Sequence, residues 1–455
     1  MLKPIHCKQH FGRLFQVCFN WEKDNPWRPF IRGMLFVMKK EPADLRRRLI
    51  RLGRHRSKKP KSLSSAFRSI QGLPEGDIIE TSFGSTYRLE ERFSSDHQHG
   101  HFPLSHTLTF PTQLVAEVVR KPELGTTDLD QLMFLDTETT GLAGGAGTLV
   151  FLVGIGYFQD REFFLRQYFL RDPAEEMGML DLLHEDLQRA AGYVTYNGQA
   201  FDLPLLENRY VIALKRRLSL VTSPNLDLLH LARRLWKESL PDCTLSTVER
   251  HVLGVERSDA DVPGSWIPGM YLDYLRTGDA SEMSRVIYHN FIDVLSLVSL
   301  TGQVLARFEG SDPVALSGGE ALAVARWHQD FGRGSPAELA FKRAVDSSKV
   351  DLKIEALRRY SAYLKREGRR VEAVKLWRKW HELSPEDDRP CIELAKFYEW
   401  EIHDYQKAME WSQLALQCLT HWPGDWRRER NWGEIEHRIK RLDQKLESQE
   451  HQRES

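Results

Sequence analysis

The stretch "QLMFLDTETTGL" (residues 131–142) carries an apolar run straight into two carboxylates, Asp136 and Glu138, with one threonine between them. The run reads as a buried strand. Side chains alternate along a strand, so the two acids share one side, a few ångströms apart, at its carboxyl end. Like charges that close raise each other's pKa unless a cation or a proton sits between them. A hard divalent cation resolves the conflict, and oxygen ligands suit magnesium or manganese. Two acids facing water at a bulge or turn account for the same residues.

Strand and helix then alternate. "LVFLVGIGYF" (149–158) and "EFFLRQYFL" (162–170) read as strands that complete a three-strand meander, "EEMGMLDLLHEDLQRA" (175–190) as a helix and "GYVTYN" (192–197) as a further strand. Asn197 and Gly198 break that strand, and Asp202 stands before the helix "FDLPLLENRYVIALKR", with Pro204 in its first turn. Asp202 is either a helix N-cap or leans its carboxylate towards the sheet end. In "VIYHNFIDVLSLVSLTGQVL" (286–305), an apolar-striped helix, His289 and Asp293 are four apart and share a face, while Asn290 sits beside them. A surface pair explains His289 and Asp293 equally well.

One family accounts for all these placements. The motifs "LDTETTGLAGGAGTLVFLVGIG", "TYNGQAFDLPLL", "LDLLHLARRLW", "TLSTVERHVLGV", "DVPGSWIP" and "HNFIDVLSLVSL", in that order, resemble the bacterial YprB-like group within the DEDD superfamily of 3′-5′ exonucleases. The resemblance implies a ribonuclease H-like α/β fold, a mixed sheet flanked by helices. It also implies four acids at the site: Asp136 and Glu138 from the first motif, Asp202 from the second and Asp293 from the third. These would hold two Mg²⁺ or Mn²⁺ ions roughly 4 Å apart for phosphodiester hydrolysis of DNA or RNA. The superfamily's general base is a histidine five residues before the last aspartate or a tyrosine four before it. Here Tyr288 has the first spacing and His289 the second, so the standard pattern is not met. His289, on the face of Asp293, is the expected base. Asn197, Asp227 and Tyr288 are expected accessories, and a helix N-cap explains Asp227 as well.

"GLAGGAGT" (141–148) suggests a tight connection whose backbone N–H groups face a phosphate, or a plain turn. It lacks the lysine and spacing of a P-loop, which excludes a nucleotide triphosphatase.

The 455 residues suffice for two or three domains, and Lys plus Arg equals Asp plus Glu at 64 each, so only local patches can mark a nucleic-acid partner. Residues 39–61 hold eleven basic residues against Glu41 and Asp44, a candidate phosphate-attracting segment or a solvated linker. Five scattered cysteines, with no signal-peptide pattern or long uncharged apolar span in view, point to the cytoplasm and to no membrane. His6, Cys7, His10 and Cys18 lack the paired spacing of a zinc site.

The expected organisation is an N-terminal extension with basic linker (1–60), a strand-rich lead-in (61–125), the exonuclease-like domain (126–308), a linker (309–319), an all-α region (320–449) and a tail (450–455). In the all-α region Ala373 and Ala408, and Trp377 and Ser412, recur 35 residues apart. That period resembles about two tetratricopeptide repeats, which usually offer a surface to a protein partner. The alternatives to an exonuclease are a catalytically inactive nucleic-acid-binding module and a protein scaffold.

Overall fold

The structure is a computed structural model of the chain and describes residues 72–141, 147–310, 316–420 and 426–454. The basic segment, the N-terminal cysteines and histidines, and most of the glycine-rich stretch lie outside the described residues.

Two antiparallel strands, β1 (Asp77–Thr81) and β2 (Gly84–Ser94), precede a small hairpin of β3 (Gln98–His99) and β4 (Phe102–Pro103) and helix α1 (Thr112–Val119). The apolar runs then form β5 (Leu132–Thr139), β6 (Val150–Gln159) and β7 (Glu162–Phe169), followed by α2 (Glu176–Leu187), β8 (Gly192–Thr195), α3 (Asp202–Arg209), β9 (Asn225–Asp227) and α4 (Leu228–Trp236). The expected meander β5–β6–β7 is present and antiparallel. Seven strands make one mixed sheet, in the order β1-β2-β7-β6-β5-β8-β9, with β8 parallel to β5 and β9 parallel to β8. The lead-in strand β2 continues the sheet by pairing with β7.

β5 is central and loses water on both faces, which is why its run is continuous rather than alternating. Phe134 packs into one core with Phe163, Val194 and Val294, and Leu135 into the other with Ile155, Leu180 and Ile287. After two shorter helices, α5 (Leu245–Val248) and α6 (Ile267–Thr277), the long helix α7 (Met283–Glu309) packs against β5 and β6. By length and composition α7 could cross a membrane, but 89% of that window is buried inside the protein. It is a core helix here.

Gly154 and Gly156 on β6 let α7 approach. A Cβ at Gly154 would meet the side-chain oxygen of Asn290 well inside van der Waals contact, and one at Gly156 would meet Val294 at 2.8 Å. Asn290 is fully buried in that gap. Its oxygen accepts from Gln167 Nε2 on β7 at 2.8 Å, and its Nδ2 donates to Asp136 Oδ2 on β5 at 2.8 Å.

The chain beyond α7 is all helical: α8 (Gly318–Asp330), α9 (Gly334–Val345), α10 (Val350–Arg366), α11 (Arg370–Leu383), α12 (Asp388–Phe397), α13 (Tyr405–Thr420) and α14 (Trp426–Glu454). Ser317 and Glu320 form a reciprocal cap at the start of α8. Glu320 also accepts from Trp236 Nε1 and Arg307 Nε, each at 2.8 Å, which fastens the helical region to α4 and α7.

An added methyl should have opposite effects at two glycines, one pressed by α7 and one in open space. Gly154→Ala should lower unfolding stability by ~1–3 kcal/mol through overpacking. Gly433→Ala, with open space in exposed helix α14, should raise it by up to ~1 kcal/mol. Urea unfolding checks both signs; an unaltered midpoint for Gly154→Ala would mean that α7 does not press on β6.

Candidate metal centre

The carboxyl ends of the parallel strands β5, β8 and β9 open at one sheet edge, where α/β sheets place ligands. Asp136 and Glu138 come from the end of β5, and the register shifts between Glu138 and Thr139. A bulge is therefore present, but the acids do not face open water. The side chains of Glu138, His289 and Asp293 are only 13–14% exposed.

Asp202 is the first residue of α3 and makes no cap; Phe201 holds the cap position. The N-cap alternative for Asp202 is thus excluded, and its carboxylate instead accepts from the Thr137 hydroxyl at the end of β5. Asp227 is an N-cap, accepting from Leu229 N at 3.1 Å. It also accepts from the backbone N–H groups of Asn197 at 2.8 Å and Gln199 at 3.3 Å, so it holds the loop that delivers Asp202. Asn197 makes the turn with a left-handed φ of 67°, a conformation asparagine tolerates better than most residues.

From α7, His289 and Asp293 project together towards Glu138. Ligand atoms of Glu138, His289 and Asp293 all lie within 4.8 Å of one another, a plausible metal-binding triad. His289 Nε2 is 3.5 Å from Asp293 Oδ2 and 3.9 Å from Glu138 Oε1. Tyr288 points elsewhere, its hydroxyl accepting from Ser258 N at 3.3 Å.

The electrostatics fit a cation. Burial, then the charges of Asp293, Glu138 and Asp202, push the Asp136 carboxyl well above its ordinary range against the Asn290 amide. Burial, then Asp293 and Asp202, do the same to Glu138 against Arg257. Burial raises Asp202 to about 6, although the Thr137 hydroxyl pulls the other way and Asp227 adds repulsion. Clustered oxygen donors, strained by their own charge and joined by an imidazole, suit a hard divalent ion.

The family model RNase_H_2, of the RNase_H superfamily, matches residues 133–305, the stretch from β5 through α7. Uncharacterized protein YprB of Bacillus subtilis (strain 168) is 32% identical over 334 residues, which cover 70% of this chain and 76% of that protein. The chain belongs to the YprB family. Its ribonuclease H-like domain places it beside metal-dependent nucleases. Among solved structures, the family B DNA polymerase from the archaeon Pyrobaculum calidifontis matches 51% of this chain and 29% of its own, at 18% identity and a TM-score of 0.29.

Sequence reasoning missed the residues that surround the YprB-family acids. Arg257 donates to Glu249 at 2.6 and 2.7 Å and to Asp293, and its Nη1 lies 3.4 Å from Asp261. Asp261 Oδ1 lies 2.8 Å from His289 Nδ1. Burial alone would lower the pKa of Arg257, but Asp293, Glu249 and Asp261 outweigh it and raise it. The available signal was position: Glu249 lies within "TLSTVERHVLGV", Asp261 opens "DVPGSWIP", and Arg257 falls between them.

The raised carboxyls set a pH dependence. Unfolded Asp202 loses its proton near pH ~4, whereas the folded residue holds it to about 6. The folded state therefore binds more protons across that window, and its advantage, complete below the lower value, is lost as pH rises through the higher. In a metal-chelating buffer, Asp202→Asn should be more stable than the wild type above about pH 6 and converge on it towards pH 4. Thermal melts across that range check this; a mutant less stable at every pH would contradict the charge strain.

Proposed function

We propose that the chain hydrolyses phosphodiester bonds of nucleic acid with two Mg²⁺ or Mn²⁺ ions, removing nucleotides from the 3′ end of single strands. The carrying observation is the convergence of Glu138, His289 and Asp293 within 4.8 Å, next to the raised carboxyls of Asp136 and Asp202. Asp136, Glu138, Asp202 and Asp293 are the residues that would hold the ions. When bound, the ions would supply charge for the phosphate, activate water and steady the leaving oxygen.

His289 serves as base in this reading. With Asp261 ionised, Nδ1–H donates to it at 2.8 Å, which fixes the tautomer and leaves the Nε2 lone pair turned towards Glu138 and Asp293. Arg257 Nη1, 3.1 Å from the same Nδ1, is then a charge neighbour rather than a donor to it. A tetratricopeptide-like reading of the helical region is part of the proposal; the residues that recur 35 apart, Ala373 with Ala408 and Trp377 with Ser412, are buried. A protein partner on that region is part of the same proposal.

The test is a panel of end-labelled single-stranded and duplex DNA and RNA with magnesium or manganese. Shortening from the 3′ end of a single strand is expected, and Asp136→Asn should abolish it. A ladder beginning at internal positions would make the protein an endonuclease; no product from folded protein on any substrate would remove the enzymatic reading.

His289→Ala should cut turnover by roughly 10²- to 10⁴-fold, the range for a positioned proton-transfer group, with metal affinity little changed. Tyr288→Phe should be mild. Lost metal affinity in His289→Ala would make the imidazole a ligand instead, and the opposite ranking of the two mutants would transfer the role to Tyr288.

A further inference from the structure

The seam between α4 of the sheet domain and α8 of the helical region carries a cationic groove that the carboxylate site does not use. Two adjoining cavities of about 310 and 270 Å³ share Arg234. Their walls hold six cationic side chains, Arg120, Lys121, Arg233, Arg234, Lys237 and Arg326, against the carboxylates of Asp227, Glu238 and Asp330. In a chain with equal totals of basic and acidic residues, that excess is a product of placement.

The three carboxylates are already engaged. Asp227 accepts from three backbone N–H groups, Glu238 pairs with Arg326 at 2.7 Å, and Asp330 pairs with Arg234. Arg120 and Lys121 donate to the backbone oxygens of Asp330 and Asn225. Burial lowers the pKa of Arg234; its partner Asp330 opposes that shift, and the charges of Arg120 and Arg326 add to it.

Placement also argues for the occupant. The Arg120 guanidinium lies 4.0 Å from the Phe331 ring centroid, and that of Arg234 5.5 Å from the centroids of both Trp327 and Phe331. The rings therefore hold the cations and are covered by them, which favours phosphates over stacked bases. At one end the groove is lined by Gln199, in the loop before Asp202, and by Asp227, at the carboxyl end of β9. It thus opens on the sheet edge that carries the carboxylates.

We propose that this groove binds the phosphate backbone of a single-stranded polynucleotide and leads the strand to the carboxylates of the sheet edge. The inference rests on the nuclease reading. The groove is separate in sequence from the basic segment 39–61, which lies outside the described residues.

The experiment uses the full chain with Arg233→Gln and Lys237→Gln combined, both side chains being exposed on or beside α4. Arg233→Lys with Lys237→Arg is the control for folding and retained charge. Fluorescence anisotropy with labelled single-stranded DNA and RNA, in chelating buffer so that no cleavage intrudes, should show about tenfold weaker binding for the glutamine pair. The slope of log affinity against log salt should flatten by about 0.7 for each phosphate that is no longer neutralised, with the control unaffected. With magnesium or manganese restored, the glutamine pair should cleave bis-p-nitrophenyl phosphate, too small to span the groove, as fast as wild type.

An unchanged affinity and slope would overturn the groove while leaving the nuclease reading to its own assay. Groove-dependent binding without hydrolysis of any labelled strand would keep the groove and remove the nuclease. Tighter binding of duplex with the same flattening of the slope, or equal competition by polyglutamate, would overturn the single-stranded occupant.

Discussion

The buried amide of Asn290 is the interaction on which the rest depends. It joins β7 through Gln167 to β5 through Asp136, across the bare backbone of Gly154 on β6. It fixes the register of the long helix against β5 and β7, across β6. His289 and Asp293 take their positions from that register, the first one residue before and the second three residues after the amide. Removing the amide would leave Gln167 and Asp136 short of a partner, at a cost of about 1–3 kcal/mol for each buried group left unsatisfied. The same amide partly offsets the charge strain on Asp136.

Charge in the site is divided between two kinds of compensation. On the α7 side Arg257 reaches Glu249, Asp261 and Asp293, one guanidinium shared by three carboxylates, and burial still leaves Glu249 raised. On the β5 side, Asp136, Glu138 and Asp202 have an amide, a distant guanidinium and a hydroxyl, and their carboxyls stay raised. Burying such groups without a matched countercharge is costly. The uncompensated half lies at the carboxyl ends of parallel strands, which is where a cation and a phosphate would enter. The YprB family thus has in this chain a site whose resting strain and proposed chemistry share one cause.

Much of this was legible in the sequence because it is periodic. Alternation along β5 placed Asp136 and Glu138 on one side, and the four-residue spacing on α7 placed His289 with Asp293. Asn290 was read only as lying beside them, since helical spacing does not reveal which strand faces a buried amide. Arg257 and Asp261 were illegible for a different reason: they sit on an irregular loop, where side-chain direction follows from the path of the chain and no period exists to project it. Asp202 and Asp227 each looked like a helix N-cap. Their separation into a carboxylate bonded to Thr137 and a true cap depends on a one-residue difference in where each helix begins.

The most direct measurement is calorimetric titration with manganese in two buffers of different ionisation enthalpy, for wild type and Glu138→Gln. If the cluster is strained by its own charge and relieved by a cation, binding must release protons held by the raised carboxyls, more at about pH 6 than at about pH 7. Glu138→Gln should weaken binding at least ~10-fold, in keeping with loss of a charge-assisted ligand. Absence of manganese binding, or binding without proton release and indifferent to Glu138→Gln, would contradict the account.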